Sequence, residues 1–262
     1  MGLLIIGDEI LSGKRADRHL PKVIEILQAR GLQLGWAHYL GDEPERIVAT
    51  LRQTFASGDI VFSCGGIGST PDDHTRRCAA EALGVPLVLH PFAKERILER
   101  IAKMAQDAGK PVDLGAPDNL NRMHMGEFPQ GAGAIPNQFN GIPGFSCGTH
   151  YFVPGFPEMA WTMIEWALDT YHADLFHQTE HVEKSVFVYG VMESMMTPLM
   201  ESIETAFPRV KTFSLPKVRT ESRRACVELG VKGDPSQTAP AFERILDWMR
   251  DRGAEYHDAE IG

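Results

Sequence analysis

The sequence predicts an α/β protein: a mostly parallel sheet with helices on both faces, followed by a small α+β domain. Three observations carry that reading. Through the first two thirds of the chain, short apolar runs alternate with amphipathic stretches of helical period, the pattern of a parallel sheet covered by crossover helices. Residues 110–155 then turn rich in Gly and Pro and read as loops and short strands lining a site. A second strand-and-helix pattern begins near residue 182, so the 262 residues divide into a large and a small domain, expected at 1–171 and 172–262.

Taken in order, an apolar run over 3–6 is a first strand. A helix is expected over 17–30, where Leu20, Val23, Ile24 and Leu27 recur at helical spacing and Gly31 supplies the stop. A strand over 34–40 and a helix over 43–55 follow, with Ile47, Leu51 and Phe55 on one stripe. That helix starts at Asp42-Glu43-Pro44-Glu45, which reads first as an Asp cap, with Pro two residues on and Glu at the third helical position. Residues 60–64 form a buried-type strand that runs into Gly65-Gly66-Ile67-Gly68. A helix over 76–83, a strand over 86–89 and a long helix over 92–108 come next. A helix over 158–171, with Met159, Met163, Trp166 and Ala167 at core spacing, closes the large domain, and 172–182 reads as a linker. The small domain reads as strands over 182–191, 210–215 and 226–231 with helices over 195–206 and 241–250, in an antiparallel sheet.

Composition excludes several functions. A net charge of -9 argues against a nucleic-acid partner, because duplex affinity comes mostly from phosphate neutralisation by clustered Lys and Arg. The longest apolar runs, 3–6 and 85–89, fall far short of the roughly 18 residues of a membrane helix, and the Met1 end lacks a basic flank, so neither a span nor a signal peptide is expected. Cys64, Cys78, Cys147 and Cys226 lie far apart, the usage of a reducing compartment, and a cytoplasmic location is expected. An acidic chain that binds a phosphorylated small molecule must hold it through backbone N–H groups, helix N-termini or a metal ion.

The segment richest in chemistry is Gly65-Gly66-Ile67-Gly68-Ser69-Thr70-Pro71-Asp72-Asp73-His74-Thr75, set between a buried strand and a helix. Gly65, Gly66 and Gly68 permit close backbone approach, and the Ser69, Thr70 and Thr75 hydroxyls with the next helix start offer donors to an anion. The spacing is that of neither a Walker A loop nor a dinucleotide fingerprint. Alone, the segment reads either as a phosphate cradle or as an ordinary Gly-rich turn with Thr75 as helix cap. Asp72 and Asp73 beside such a loop suit a divalent ion, Mg²⁺ or Mn²⁺, bridging carboxylate and phosphate oxygens. Gly7-Asp8-Glu9 stands at the carboxyl end of the first strand, where parallel sheets place ligands, and its alternative reading is a solvated acidic turn. The segment 135–144, with Gln138, Asn140 and Ile142, and Val153-Pro154-Gly155-Phe156-Pro157-Glu158 contribute Pro-Gly turns that would hold rigid loops at a cleft.

Other features take the plainer reading. His172, His177 and His181 are read as exposed linker histidines. Met192, Met195, Met196 and Met200 are read as core filler, the first in the preceding turn, and the arginines of 219–224 as a solvated loop.

These segments resemble the competence/damage-inducible protein A (CinA) amino-terminal family, a branch of the molybdopterin-binding domains of MoaB/Mog and gephyrin type. Gly65 to Thr75 is similar to the family's G-G-[LT]-G-P-T-x-D-D-x-T, Gly7-Asp8-Glu9-Ile10-Leu11 to G-T-E-[IL]-L, and Val153-Pro154-Gly155-Phe156-Pro157 to [LV]-P-G-x-P. Asp8 stands where the family has Thr, Ser69 where it has Pro, and Gln138, Asn140 and Ile142 where it has Pro, Gly and Ala. The resemblance implies a three-layer α/β/α domain over 1–171 and a small companion of the same family over 172–262. It implies a molybdopterin-like pterin or a nucleotide as ligand, with a phosphate or pyrophosphate on Gly65, Gly66, Gly68, Ser69, Thr70 and Thr75, and Gly7, Glu9, Pro154 and Gly155 nearby. It implies catalytic roles for Asp73 and Asp42, and Mg²⁺, Mn²⁺ or Co²⁺ on Asp72 and Asp73. Metal-dependent ADP-ribose pyrophosphatase activity is associated with this branch, the alternatives being adenylyl transfer or a non-catalytic regulatory module. The family's deamidase domain is not expected within these residues, and association of family members implies a homo-oligomer.

Overall fold

The computed structural model describes residues 1–178, 182–218 and 224–258. The chain divides into two compact units, Met1–Phe176 and His177–Gly262. The first unit runs β1 (Gly2–Ile6), α1 (Asp8–Leu11), α2 (His19–Gln28), β2 (Trp36–Leu40), α3 (Pro44–Ser57), β3 (Val61–Cys64) and α4 (Thr75–Leu83). It continues with β4 (Leu87–Leu89), α5 (Pro91–Asp107), α6 (Pro117–His124), β5 (Glu127–Pro129), β6 (Gly133–Ile135), β7 (Gly144–Cys147), β8 (His150–Val153) and α7 (Pro157–Tyr171), and ends in a 3-10 turn, Ala173–Leu175.

Its main sheet has the order β2-β1-β3-β8-β7-β6. β2, β1, β3 and β8 are parallel, while β7 and β6 add antiparallel edges. Period-two alternation splits the strands between two cores. Leu3, Ile5, Phe62, Cys64, Tyr151 and Val153 meet Val23, Ile26 and Leu27 of α2 and Met163, Ile164 and Ala167 of α7. Leu4, Ile6, Val61 and Phe152 meet Ile47, Val48 and Leu51 of α3 and Cys78 and Ala79 of α4. Three layers result, as the α/β reading requires.

The register decides where ligands can go. Gly2 lies opposite Val61 and Ile5 opposite Cys64, and Cys64 in turn lies opposite Val153. The three strands therefore end level, and Gly7, Gly65 and Pro154 emerge side by side at the carboxyl edge of the sheet.

The second unit runs β9 (Val182–Tyr189), α8 (Glu193–Ala206), β10 (Val210–Lys217), β11 (Cys226–Gly233), α9 (Pro235–Arg252) and β12 (Glu255–His257). The sheet order is β10-β11-β9-β12 with every pair antiparallel. Val186, Val188, Leu229 and Val231 pack on Met196, Ile203, Ile245 and Met249.

Several expectations change. The Gly- and Pro-rich stretch contains α6, an eight-residue helix with Pro117 and Asp118 in its first turn, Arg122 and His124 in its last, and no buried residue. Its apolar side chains, Leu120 and Met123, make one short step at helical spacing, too few to give a readable period. The loop after β1 contains the single turn α1. α9 starts at Pro235 rather than after Pro240, because the Asp234 carboxylate accepts the Ser236 N–H at 2.9 Å and caps it. Of Met192, Met195, Met196 and Met200 only Met196 is fully buried, whereas Met192 is 68% and Met195 46% exposed. His172 is half-buried and hydrogen-bonds the Tyr151 hydroxyl at 2.8 Å, so it is a packed residue, while His177 is exposed. Arg224 makes a two-pronged pair with Glu255. His181, Arg219 and Arg223 lie outside the described residues. Among the described residues no helix is long and apolar enough to cross a membrane.

Candidate functional site

The level strand ends enclose a cavity of about 440 Å³. Gly7, Glu9, Asp42, Gly65, Gly66, Gly68, Ser69, Thr70, Asp72, Asp73, Pro154 and Gly155 all line it, so segments up to 148 residues apart converge on one place. Thr75 does not line it. This residue is fully buried beneath the loop.

The loop's shape follows from what holds it. Gly65 has φ 110° and a Cβ there would collide with the Ile6 carbonyl oxygen; Gly66 has φ 68° and a Cβ would collide with the Thr75 hydroxyl. Thr75 donates its hydroxyl to the Gly65 carbonyl at 3.0 Å and its N–H to the Gly66 carbonyl at 2.9 Å. Buried Arg76 donates to the Ile67 carbonyl. The Asp73 carboxylate accepts the Gly68 N–H at 2.7 Å, the Thr70 N–H at 2.8 Å and the Thr70 hydroxyl at 2.5 Å. Three carbonyls and three donors are thereby engaged from behind. The N–H groups of Gly66, Ile67 and Ser69 have no hydrogen-bond partner among the described residues, and all three residues line the cavity. Successive free backbone N–H groups in a left-handed, Gly-rich turn are an anion-binding nest.

The Pro154-Gly155 turn is held likewise. His19 is buried, and its Nε2 donates to the Gly155 carbonyl at 3.2 Å. That bond places a proton on Nε2, and burial lowers the pKa of a ring whose Nδ1 has no partner. Asp17 caps α2 by accepting the His19 and Leu20 N–H groups at 2.7 and 3.1 Å, and accepts the Tyr39 hydroxyl at 2.8 Å. Burial, then that bond, push the Tyr39 phenol up to about 12. This network is absent from the sequence reading, since it joins residues 136 positions apart and has no local signature.

The cavity mouth is acidic. Asp42 does not cap α3, whose capping position is Glu43 without a side-chain capping bond. Instead Asp42 Oδ2 accepts the Asp8 N–H at 2.9 Å while Asp8 Oδ1 accepts the Asp42 N–H at 3.2 Å, a reciprocal lock between the loops after β1 and β2. Burial raises the Asp42 carboxyl above the usual range, and the charges of Asp8, Glu9 and Asp72 raise it further against the Asp8 N–H bond. Arg15 is the basic residue of the lining. The apolar wall of the lining comprises Met125, Ile142, Pro143, Phe156 and Met159, with Asn140 as its polar member. The Pro-Gly turns pointed to this wall; its Met and Phe members were not singled out as site residues.

The donor set does not make a free-standing metal centre. Both Asp73 oxygens already accept loop hydrogen bonds, and among the described residues no group of three or more His, Cys, Asp and Glu side chains is gathered for a cation. Carboxylates at the mouth suit a hard divalent ion only where a ligand's phosphate oxygens complete its shell.

The family model described as a probable molybdopterin binding domain matches residues 2–173. A CinA-like protein of Anaeromyxobacter sp. (strain K) is 33% identical over 171 residues, covering 63% of this chain and 40% of that protein. A CinA-like protein of Mycobacterium sp. (strain JLS) is 28% identical over 260 residues, 96% of this chain and 59% of that protein. The chain thus spans less than two thirds of the length of these relatives. The crystal structure of the protein CinA from Thermoplasma acidophilum superposes with a TM-score of 0.52 at 23% identity, covering 64% of this chain and 95% of that one, a likeness of fold. With the motif loops converging on one cavity and the family model spanning the first unit, the chain belongs to the probable molybdopterin-binding domain family.

Proposed function

We propose that the first unit binds a small phosphorylated heterocycle, a molybdopterin-like pterin or a nucleotide, with its phosphate or pyrophosphate on the loop from Gly65 to Thr70. The observation that carries this reading is the set of free N–H groups at Gly66, Ile67 and Ser69, kept open by Asp73, Thr75 and Arg76 from behind. A cavity of about 440 Å³ lined by both polar loop residues and apolar side chains suits a ligand of that size and polarity.

Glu9, Asp42 and Asp72 at the mouth oppose a bare polyphosphate, so the ligand arrives with a divalent cation held by one or two of these carboxylates and by its own oxygens. Such a cation supplies charge neutralisation. Asp73 acts as a positioning residue for the loop. Metal-dependent pyrophosphatase chemistry requires the same cation at the same mouth, and Glu9 with Asp42, whose Oδ2 is held by the Asp8 N–H, are then the carboxylates beside the reacting phosphate.

The test is mass spectrometry of small molecules released from protein purified from its source, followed by calorimetric titration of the identified compound. A pterin or nucleotide phosphate bound in stoichiometric amount supports the reading. Equal stabilisation by unrelated anions such as sulfate and citrate, with no preference for phosphate esters, overturns it. Product analysis of ADP-ribose incubated with Mn²⁺ separates turnover, seen as AMP and ribose phosphate, from binding alone.

A further inference from the structure

The apolar wall contains one hydrogen-bonding side chain, and its polarity is fixed by its neighbours. Asn140 Oδ1 accepts the Ile142 N–H at 2.9 Å and the Asn137 Nδ2 at 2.9 Å. Asn137 is itself buried, and its Oδ1 accepts the Phe139 N–H at 3.0 Å. Because both carboxamide oxygens receive backbone N–H groups, neither amide can be reversed without setting donor against donor. Asn140 Nδ2 meets only the Met159 thioether, at 3.5 Å, and the Asn137 amide makes a second long contact to the same sulfur at 3.6 Å. A thioether is a weak acceptor, so the Asn140 amide N–H groups are underused. Phe156, 59% exposed, lines the same cavity as Met125, Ile142 and Asn140.

We propose that Asn140 is a specificity-determining residue that offers this wall a donor and no acceptor, selecting a flat heterocycle whose edge presents an acceptor, such as a 6-oxopurine or a 4-oxopteridine, over one presenting an amino group. The inference rests on the phosphate-binding reading above and adds the identity of the ligand's other end. A ring slotted against Phe156 and the methionines loses its hydration, and an amino edge facing the Asn140 amide then leaves two donors unpaired.

The probes are inosine 5′-diphosphate, adenosine 5′-diphosphate, dihydroneopterin triphosphate and inorganic pyrophosphate, titrated calorimetrically with Mg²⁺ into the full chain and into Asn140→Asp. The substitution keeps the acceptor that the Ile142 and Asn137 donors need and removes the amide donor. The wild type is expected to bind the inosine compound about tenfold more tightly than the adenosine one, the scale of one well-placed hydrogen bond. Asn140→Asp is expected to lose at least tenfold more affinity for the two oxo rings than for pyrophosphate, whose loss measures the added charge alone. Comparing the two oxo ligands separates a purine from a pteridine source. Equal binding of inosine and adenosine compounds by the wild type, or an equal fall for all probes in the variant, overturns the inference while leaving the phosphate reading intact. Should pyrophosphate and every ring compound fail to bind the wild type, the phosphate reading falls and this inference with it. If the variant does not fold, the wild-type ring preference decides alone.

Discussion

At the residue scale, the site depends on a few backbone bonds made from behind. Gly66→Ala brings a Cβ against the buried Thr75 hydroxyl at a positive φ and is expected to cost about 1–3 kcal/mol of stability and most of the pyrophosphate affinity, read by chemical denaturation and calorimetry. Asp73→Asn replaces an oxygen by an N–H₂ that faces backbone donors. It is expected to cost about 1–3 kcal/mol in the ligand-free protein, whereas loss of a mere metal ligand would leave the ligand-free protein unchanged. The glycines, Asp73 and Thr75 were legible in the sequence as a motif. Their division of labour was not, because a motif records which residues are present and not which way a carboxylate turns.

His150 on β8 gives a pH test. Its ring is buried, hydrogen-bonded to the Thr54 hydroxyl at 3.0 Å, and burial lowers its pKa from 6.5 to about 4. The unfolded chain therefore binds a proton that the folded chain refuses between those values. Its contribution to stability is complete above about pH 6.5, falls as the pH drops, and is spent below about pH 4. Denaturant unfolding across that window is expected to show a slope that His150→Gln flattens by up to about 3 kcal/mol in total.

At the element scale, period and punctuation located the long pieces. The helices with a clear apolar stripe, α2, α3, α5 and α7, were readable because burying one face imposes a period on the sequence, and β1 and β3, buried on both faces, because they read as short buried-type runs. α6 and the three-residue β12 were not, since the first buries nothing and the second is too short to carry a pattern. The start of α9 shows a cap outweighing a breaker. Asp234→Ala is expected to lower stability by about 1 kcal/mol, the ordinary cost of a lost cap, in a denaturation experiment on the whole chain. Parallel register lies beyond single-sequence reading, yet it places the loops after β1, β3 and β8 level.

At the scale of the whole molecule, an excess of acid coexists with a nest of free N–H groups. On the proposed reading, the charge of -9 and the carboxylates of Glu9, Asp42 and Asp72 at the mouth make a polyphosphate dependent on a cation, since among the described residues no group of three or more His, Cys, Asp and Glu side chains is gathered to hold one. Thermal-shift measurements are accordingly expected to show no stabilisation by Mg²⁺ alone, little by pyrophosphate alone, and a clear rise for the two together. The family, the fold and the converging segments were legible in the sequence; the ligand's identity was not, because the apolar wall is assembled from short, irregular stretches around Met125, Asn140 and Phe156. The most direct measurement of the central claim is amide chemical-shift mapping during titration of the full chain with pyrophosphate and Mg²⁺. The account predicts saturable shifts largest at the N–H groups of Gly66, Ile67 and Ser69. Saturable shifts centred elsewhere, with those three unmoved, would contradict it.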